Sequence, residues 1–197
     1  MEVIRKTILN DEAYLRQVSK PVIFVNNEYK EEIELLEKFC LETECFALAA
    51  IQIGIPKRII YLKNTTLDVP IDDMSYNESK VLINPVILER KGHTRFLESC
   101  ESCLDNAGVV DRPYLIVMEY YDINGQIKRE TFKGFESTVL SHEYDHLNGI
   151  LHLDLIDEAD IMQLNIEQRK VYRDEHPYEV ISETCDYEEL RAKKLKK

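Results

Sequence analysis

The sequence predicts one α+β domain in which antiparallel strands surround a central helix, with a further helix toward the C-terminus. Three features predict it. Asn124-Gly125 stands between two β-prone runs, 115–121 and 126–132, which marks a β-hairpin. After Gly134 the apolar spacing changes to steps of three and four, the period of a helix. A chain of 197 residues that is 44% apolar has enough core for one compact unit.

The elements follow in order along the chain. Residues 11–16, followed by Ser19-Lys20-Pro21, read as a short turn or helix entering an extended X-Pro segment. Residues 31–41 place Ile33, Leu36, Phe39 and Cys40 on one face and carboxylates on the other, an amphipathic helix. Residues 46–53 are almost wholly apolar apart from Gln52, and 58–62 form a second apolar run beyond Gly54-Ile55-Pro56. Both read as buried strands separated by a turn. Residues 64–80 read as a polar loop, and 81–88 as a strand around Asn84-Pro85. The hairpin comes next, then a helix over 136–147 closed by Gly149. From residue 157 onward the chain is charged and helix-compatible, with a break at His176-Pro177. The expected organisation is a single domain, 1–197, carrying a charged helical extension over 157–197 and a basic tail over 191–197.

Charge excludes several partners. Lys+Arg 25 against Asp+Glu 37 gives −12, which repels phosphate backbones and anionic membrane surfaces, so neither DNA nor a membrane is expected as a partner. The charge divides unevenly: residues 1–190 hold 20 basic and 37 acidic groups, or −17, and the last seven residues hold +5. The six glycines are too far apart for either common phosphate-cradling loop. Five cysteines, an odd number, and a start without an apolar leader point to a reducing, cytoplasmic compartment with free thiols, one or two of them open to thiolate chemistry.

The chemistry concentrates in His142-Glu143-Tyr144-Asp145-His146. On a helix the two imidazoles lie one turn apart on one face and can hold one metal ion. Glu143 sits one step round, where its carboxylate can reach a water on the metal without becoming a ligand. A catalytic site wants a third protein ligand and an open position. Downstream the chain offers His152, Glu158, Asp160 and His176; the better source is upstream, in 98–105, with Cys100 and Cys103. Taken together, Cys100, Cys103, His142 and His146 also satisfy the pattern of a closed structural zinc site, although the 38-residue spacer (104–141) contains a complete hairpin and Glu143 would have no purpose there. A Cys100–Cys103 redox pair would leave the histidines unexplained.

Three ordered motifs resemble the peptide deformylases, which combine a G-x-G-L-A-A-x-Q segment, an E-G-C-L-S segment and a Q-H-E-x-D-H helix. This chain has Cys45-Phe46-Ala47-Leu48-Ala49-Ala50-Ile51-Gln52, Glu101-Ser102-Cys103-Leu104-Asp105 and Ser141-His142-Glu143-Tyr144-Asp145-His146. Weaker similarity covers most of residues 4–156. The resemblance implies that Cys103, His142 and His146 bind one divalent metal, Fe²⁺ in cells, with Zn²⁺, Ni²⁺ or Co²⁺ suiting the same donors. It implies that Glu143 moves the proton in hydrolysis of an N-formyl-methionyl peptide. The Gln52 amide and the Leu104 backbone N–H would stabilise the oxyanion, and Asp145 would orient structure rather than react. The implied substrates are formylated nascent peptides, met in a bacterial-type cytosol or an organelle matrix, with the basic tail as a contact to the ribosome. Phe46, Ala47, Ser102, Phe135, Thr138 and Val139 are the implied pocket residues. Cys45, Ala47 and Ser102 stand where the family places glycine, and an added β-carbon there implies altered substrate fit. Two other readings stand beside this one: a metal amidohydrolase with a different substrate, and a non-catalytic ribosome-associated or structural-metal protein.

Overall fold

A computed structural model describes residues 3–24, 28–43, 45–63 and 79–194. The expected loop over 64–80 lies almost wholly outside them. The elements are α1 (Glu12–Leu15), α2 (Glu28–Glu42), β1 (Ala47–Ala49), a 3₁₀ turn (Ala50–Ile53), β2 (Ile59–Leu62), β3 (Lys80–Ser99), a second 3₁₀ turn (Glu101–Cys103) and β4 (Asn106–Arg112). There follow β5 (Leu115–Tyr121), β6 (Ile127–Lys133), α3 (Phe135–His146), β7 (Met162–Gln163), α4 (Ile166–Glu175), β8 (Glu179–Asp186) and α5 (Tyr187–Lys194). All the strand pairings are antiparallel, as expected of the fold class.

The spine is β3, which pairs with β2, β4, β5 and β8 along its length. Its second half, together with β4, was not legible in the sequence, because charged residues at 89–91 and 95 interrupt the apolar run. The hairpin at Asn124-Gly125 forms as expected, with Leu115 opposite Lys133 and Tyr121 opposite Ile127. The apolar stretch 46–53 is a strand only to Ala49; it then tightens into a 3₁₀ turn closed by Gly54 at φ 89°. That turn swings Gln52 inward, where it is buried.

Helix α2 buries Tyr29, Ile33, Leu36 and Cys40 against Leu48, Ile59, Tyr61 and Ile83. Burial of one such aliphatic side chain is worth about 1.5–3 kcal/mol. Helix α3 packs on β1, β2, β4 and β6, and its buried residues include Ser137, Thr138, Ser141, Glu143, Asp145 and His146 as well as Leu140. A buried helix this polar is held by specific partners rather than by apolar area. The turn after it closes at Gly149 (φ +71°), where a β-carbon would lie 2.2 Å from the Arg16 carbonyl oxygen.

The extension beyond residue 157 is not helical throughout. Between α4 and α5 the β-branched run around Val180, Ile181 and Thr184 forms β8, which pairs with residues 91–95 of β3. The open edge of β3 supplies backbone partners that override helical propensity. The first cation of the expected basic tail, Arg191, also points inward: its Nη2 donates to Asp145 Oδ1 at 2.5 Å. The side chains of the remaining tail lysines lie outside the described residues.

Candidate active site

Helix α3 presents His142 and His146 one turn apart, with ring centroids 4.9 Å from each other. The third partner is Cys100, at the end of β3, with its Sγ 3.4 Å from His146 Nε2. One sulfur and two imidazole nitrogens all lie within 4.8 Å of one another, and this is the only such group among the described residues. Soft sulfur with two imidazoles is the donor set of a transition-metal site, and three donors leave a coordination position open.

The structure brings Cys100, rather than the expected Cys103, to the two imidazoles. Glu-Ser-Cys occurs twice, at Glu98-Ser99-Cys100 and Glu101-Ser102-Cys103, and the leucine after the second copy favoured it. Strand periodicity decides otherwise. Thr94, Phe96, Glu98 and Cys100 alternate onto the face that meets α3, whereas Cys103 comes one 3₁₀ turn later and is buried beside Leu15 and Leu151. Its N–H donates to the Cys100 carbonyl at 2.8 Å, and its thiol, with the nearby imidazoles, acts to hold Cys100 well below the ordinary thiol range. Cys103 therefore lies behind Cys100 rather than in the group, and the closed four-ligand zinc site is not assembled among the described residues.

Two further residues shift with it. The Leu104 N–H closes the turn onto the Glu101 carbonyl at 3.2 Å, and Leu104 is 40% exposed, so it is not an oxyanion donor. Ser102 is buried and accepts from Gln52 Nε2 at 3.1 Å instead of facing the pocket. Glu101 and Ser99 occupy the corresponding places on the cleft wall. The other sequence-derived residues come together as expected. Gln52 Nε2 also reaches Cys100 Sγ at 3.4 Å. The Ala49 N–H lies within hydrogen-bonding reach of both Gln52 Oε1 (2.9 Å) and Glu143 Oε2 (2.8 Å), fixing both side chains from β1. Burial raises the pKa of Glu143, against the lowering effect of the two imidazoles. Of the downstream alternatives, His176 stacks on Tyr172 and Glu158 and Asp160 are exposed. His152 is buried 5.6 Å from His142, with neither ring nitrogen hydrogen-bonded.

A buried ion network anchors the centre, and sequence reasoning missed it. Glu98 Oε2 lies 2.9 Å from His142 Nδ1, which directs the other ring nitrogen toward Cys100 and His146. Glu98 is held in turn by Arg112, through Nε at 2.6 Å and Nη2 at 2.9 Å. Arg112 Nη1 continues to Asp145 Oδ2 at 2.5 Å, and Asp145 to Arg191. Although burial alone would raise both carboxyls, Arg112 holds Glu98 and Asp145 below the usual carboxylate range. Asp145 thus orients structure, as expected. The β-hairpin register that faces β3 with β4 was the missing signal for Arg112.

The centre opens into a cleft of about 390 Å³. Phe46, Ala47, Phe135, Thr138 and Val139 line it together with His142 and Glu143. Phe135 packs edge-on against Phe96 at 5.3 Å. The far wall comes from α4, through Ile166, Arg169 and Arg173.

Residues 4–161 match the family model for polypeptide deformylase. The chain belongs to the polypeptide deformylase family. A peptide deformylase of Finegoldia magna is 31% identical over 170 residues, covering 84% of this chain and 99% of that relative. One of Pelagibacter ubique is 35% identical over 77% of this chain and 86% of its own length. Among solved structures, a probable peptide deformylase from a Synechococcus phage superposes with a TM-score of 0.69 at 31% identity, over 79% of this chain and all of that one. A class I type b peptide deformylase from Acinetobacter baumannii bound to Met-Ala-Ser gives 0.68 at 27% identity, over 79% and 99%. The family match ends before α4, so the arginine-bearing wall of the cleft lies beyond it.

Proposed function

We propose that this deformylase-family chain removes the N-formyl group from the N-terminal methionine of newly made polypeptides. The observation that carries the reading is the open Cys100, His142 and His146 group with the Glu143 carboxylate beside it in an apolar-walled cleft. Cys100, His142 and His146 would hold one divalent ion, Fe²⁺ by resemblance and Zn²⁺, Ni²⁺ or Co²⁺ by donor chemistry, which when bound would supply Lewis acidity and make the attacking water more acidic. Glu143 takes a proton from that water and returns it to the amine as the C–N bond breaks, leaving formate and a free N-terminus. Its raised pKa suits both halves of that transfer. The Gln52 amide lies against Cys100; with Cys100 as the proposed ligand, the backbone N–H that follows it in sequence, that of Glu101, replaces Leu104 as the proposed second donor to charge on the formyl oxygen. Phe46, Phe135 and Val139 provide apolar walls for the methionine side chain. Among the described residues no helix is long and apolar enough to cross a membrane; the proposed setting is the cytoplasm or an organelle matrix. The lysines after Arg191 are the proposed ribosome contact, and unchanged ribosome co-sedimentation after deletion of residues 192–197 would dispose of it.

Glu143→Gln tests the mechanism. Formate release from formyl-Met-Ala-Ser should fall about 10²–10⁴-fold while metal stays bound stoichiometrically. Full activity in that variant would remove Glu143 from the reaction.

A further inference from the structure

Two thiols outside the candidate metal centre meet at the cleft wall. Cys40, on the last turn of α2, is fully buried, and Cys45, just before β1, is half-buried and lines the cleft. Their sulfurs are 2.7 Å apart. The backbone brings them together: the Cys45 N–H donates to the Cys40 carbonyl at 3.2 Å, and the Cys40 thiol lies 3.1 Å from the Cys45 carbonyl oxygen. Closing a bond between the two sulfurs therefore calls for little backbone movement. Both cysteines are free thiols, and the proposed hydrolysis uses neither.

We infer that Cys45 and Cys40 form a thiol-modification site for low-molecular-weight disulfides, with Cys45 as the attacking sulfur and Cys40 as the resolving one. Position assigns the roles, because only Cys45 faces the cleft through which a reagent can arrive. Electrostatics agrees. The close sulfur–sulfur contact with Cys40 leads the effects that hold Cys45 below the ordinary thiol range, with Thr43 and Arg5 assisting, and the same contact pushes Cys40 up. In the first step the Cys45 thiolate attacks one sulfur of the reagent, forming a mixed disulfide and releasing one thiolate. In the second, Cys40 gives up its proton and attacks the Cys45 sulfur. The second small thiolate leaves and takes up that proton. Two protein thiols are oxidised, and one disulfide is reduced to two thiols. Cys45 immediately precedes Phe46 and Ala47 on the cleft wall, so the mixed disulfide intrudes on the peptide's space and the internal disulfide clears it. The sulfur chemistry is independent of the deformylase reading; only the effect on peptide binding rests on it.

The test treats the metal-loaded full chain with oxidised glutathione, alkylates the remaining thiols and maps them by mass spectrometry. Wild type should lose two hydrogens and show a Cys40–Cys45 link reversible by dithiothreitol. Cys40→Ser and Cys40→Ala should instead hold a stable glutathione adduct on Cys45. With metal content unchanged, these adducts should raise KM for formyl-Met-Ala-Ser several-fold. Cys45→Ser should leave Cys40 unmodified. A wild-type chain that keeps the adduct on Cys45, or alkylates both cysteines while Cys185 carries the glutathione, would overturn the inference. Linkage with unchanged KM in the Cys40 variants would overturn the occlusion alone, and absence of formate release from untreated enzyme would count against the deformylase reading without touching the sulfur chemistry.

Discussion

Replacing Arg112 by Met removes the guanidinium from the centre of the buried network while keeping much of its volume. Arg112 is fully enclosed, its side chain 1% exposed, and makes three charged hydrogen bonds, two to Glu98 and one to Asp145. Asp145 would retain Arg191, whereas Glu98 would retain only His142. One buried carboxylate is thus left under-compensated, a loss of about 3–5 kcal/mol, against a total stability of about 5–15 kcal/mol. With a urea slope of about 2 kcal/mol per M, the unfolding midpoint should fall by about 2 M, and Arg112→Lys should fall part of the way because a single ammonium cannot grip both oxygens of Glu98. Urea titration followed by circular dichroism on the metal-free chain measures it. A shift below about 0.5 M would refute the claim that this network anchors the site.

Metal analysis should separate the two Glu-Ser-Cys copies: Cys100→Ser loses stoichiometric metal, whereas Cys103→Ser keeps it with affinity lowered by about 10-fold, the scale of a support residue. Equal loss in both would restore the closed-site reading. His152 carries a pH signature. Burial holds its pKa down at about 4, so the native chain refuses a proton that the unfolded chain accepts below about 6.5. Its contribution is therefore lost as pH falls from about 6.5 to 4, by about 3 kcal/mol. The metal-free His152→Phe variant should lack that slope relative to wild type; parallel stability curves would contradict it. Arg191→Gln should cost about 1–3 kcal/mol through its bonds to buried Asp145, whereas no change in urea midpoint would mean that the residue serves only as a surface cation.

The residues proposed to carry reaction chemistry were legible because their spacing is local. His142, Glu143 and His146 are fixed by the helical period, and Gln52 by a single polar residue in an apolar run. What escaped is set by strand pairing. The choice between Cys100 and Cys103 depends on which residues of β3 face α3, and the second half of β3 was hidden by its charged outer face. Glu98 and Arg112 are partners across the β3–β4 hairpin, a relation that no short motif records. Strand β8 formed where charge suggested helix, since an unpaired edge of β3 outweighed local propensity. The arginine wall from α4 followed from the same folding back of the extension.

Formate release from formyl-Met-Ala-Ser by the chain loaded anaerobically with Fe²⁺ tests the account most directly, measured on wild type beside Cys100→Ser and Cys103→Ser. Multiple turnovers in wild type and Cys103→Ser, with none in Cys100→Ser, are predicted. No formate from a wild-type chain carrying one metal per molecule, or turnover that survives loss of Cys100 but not of Cys103, would contradict it.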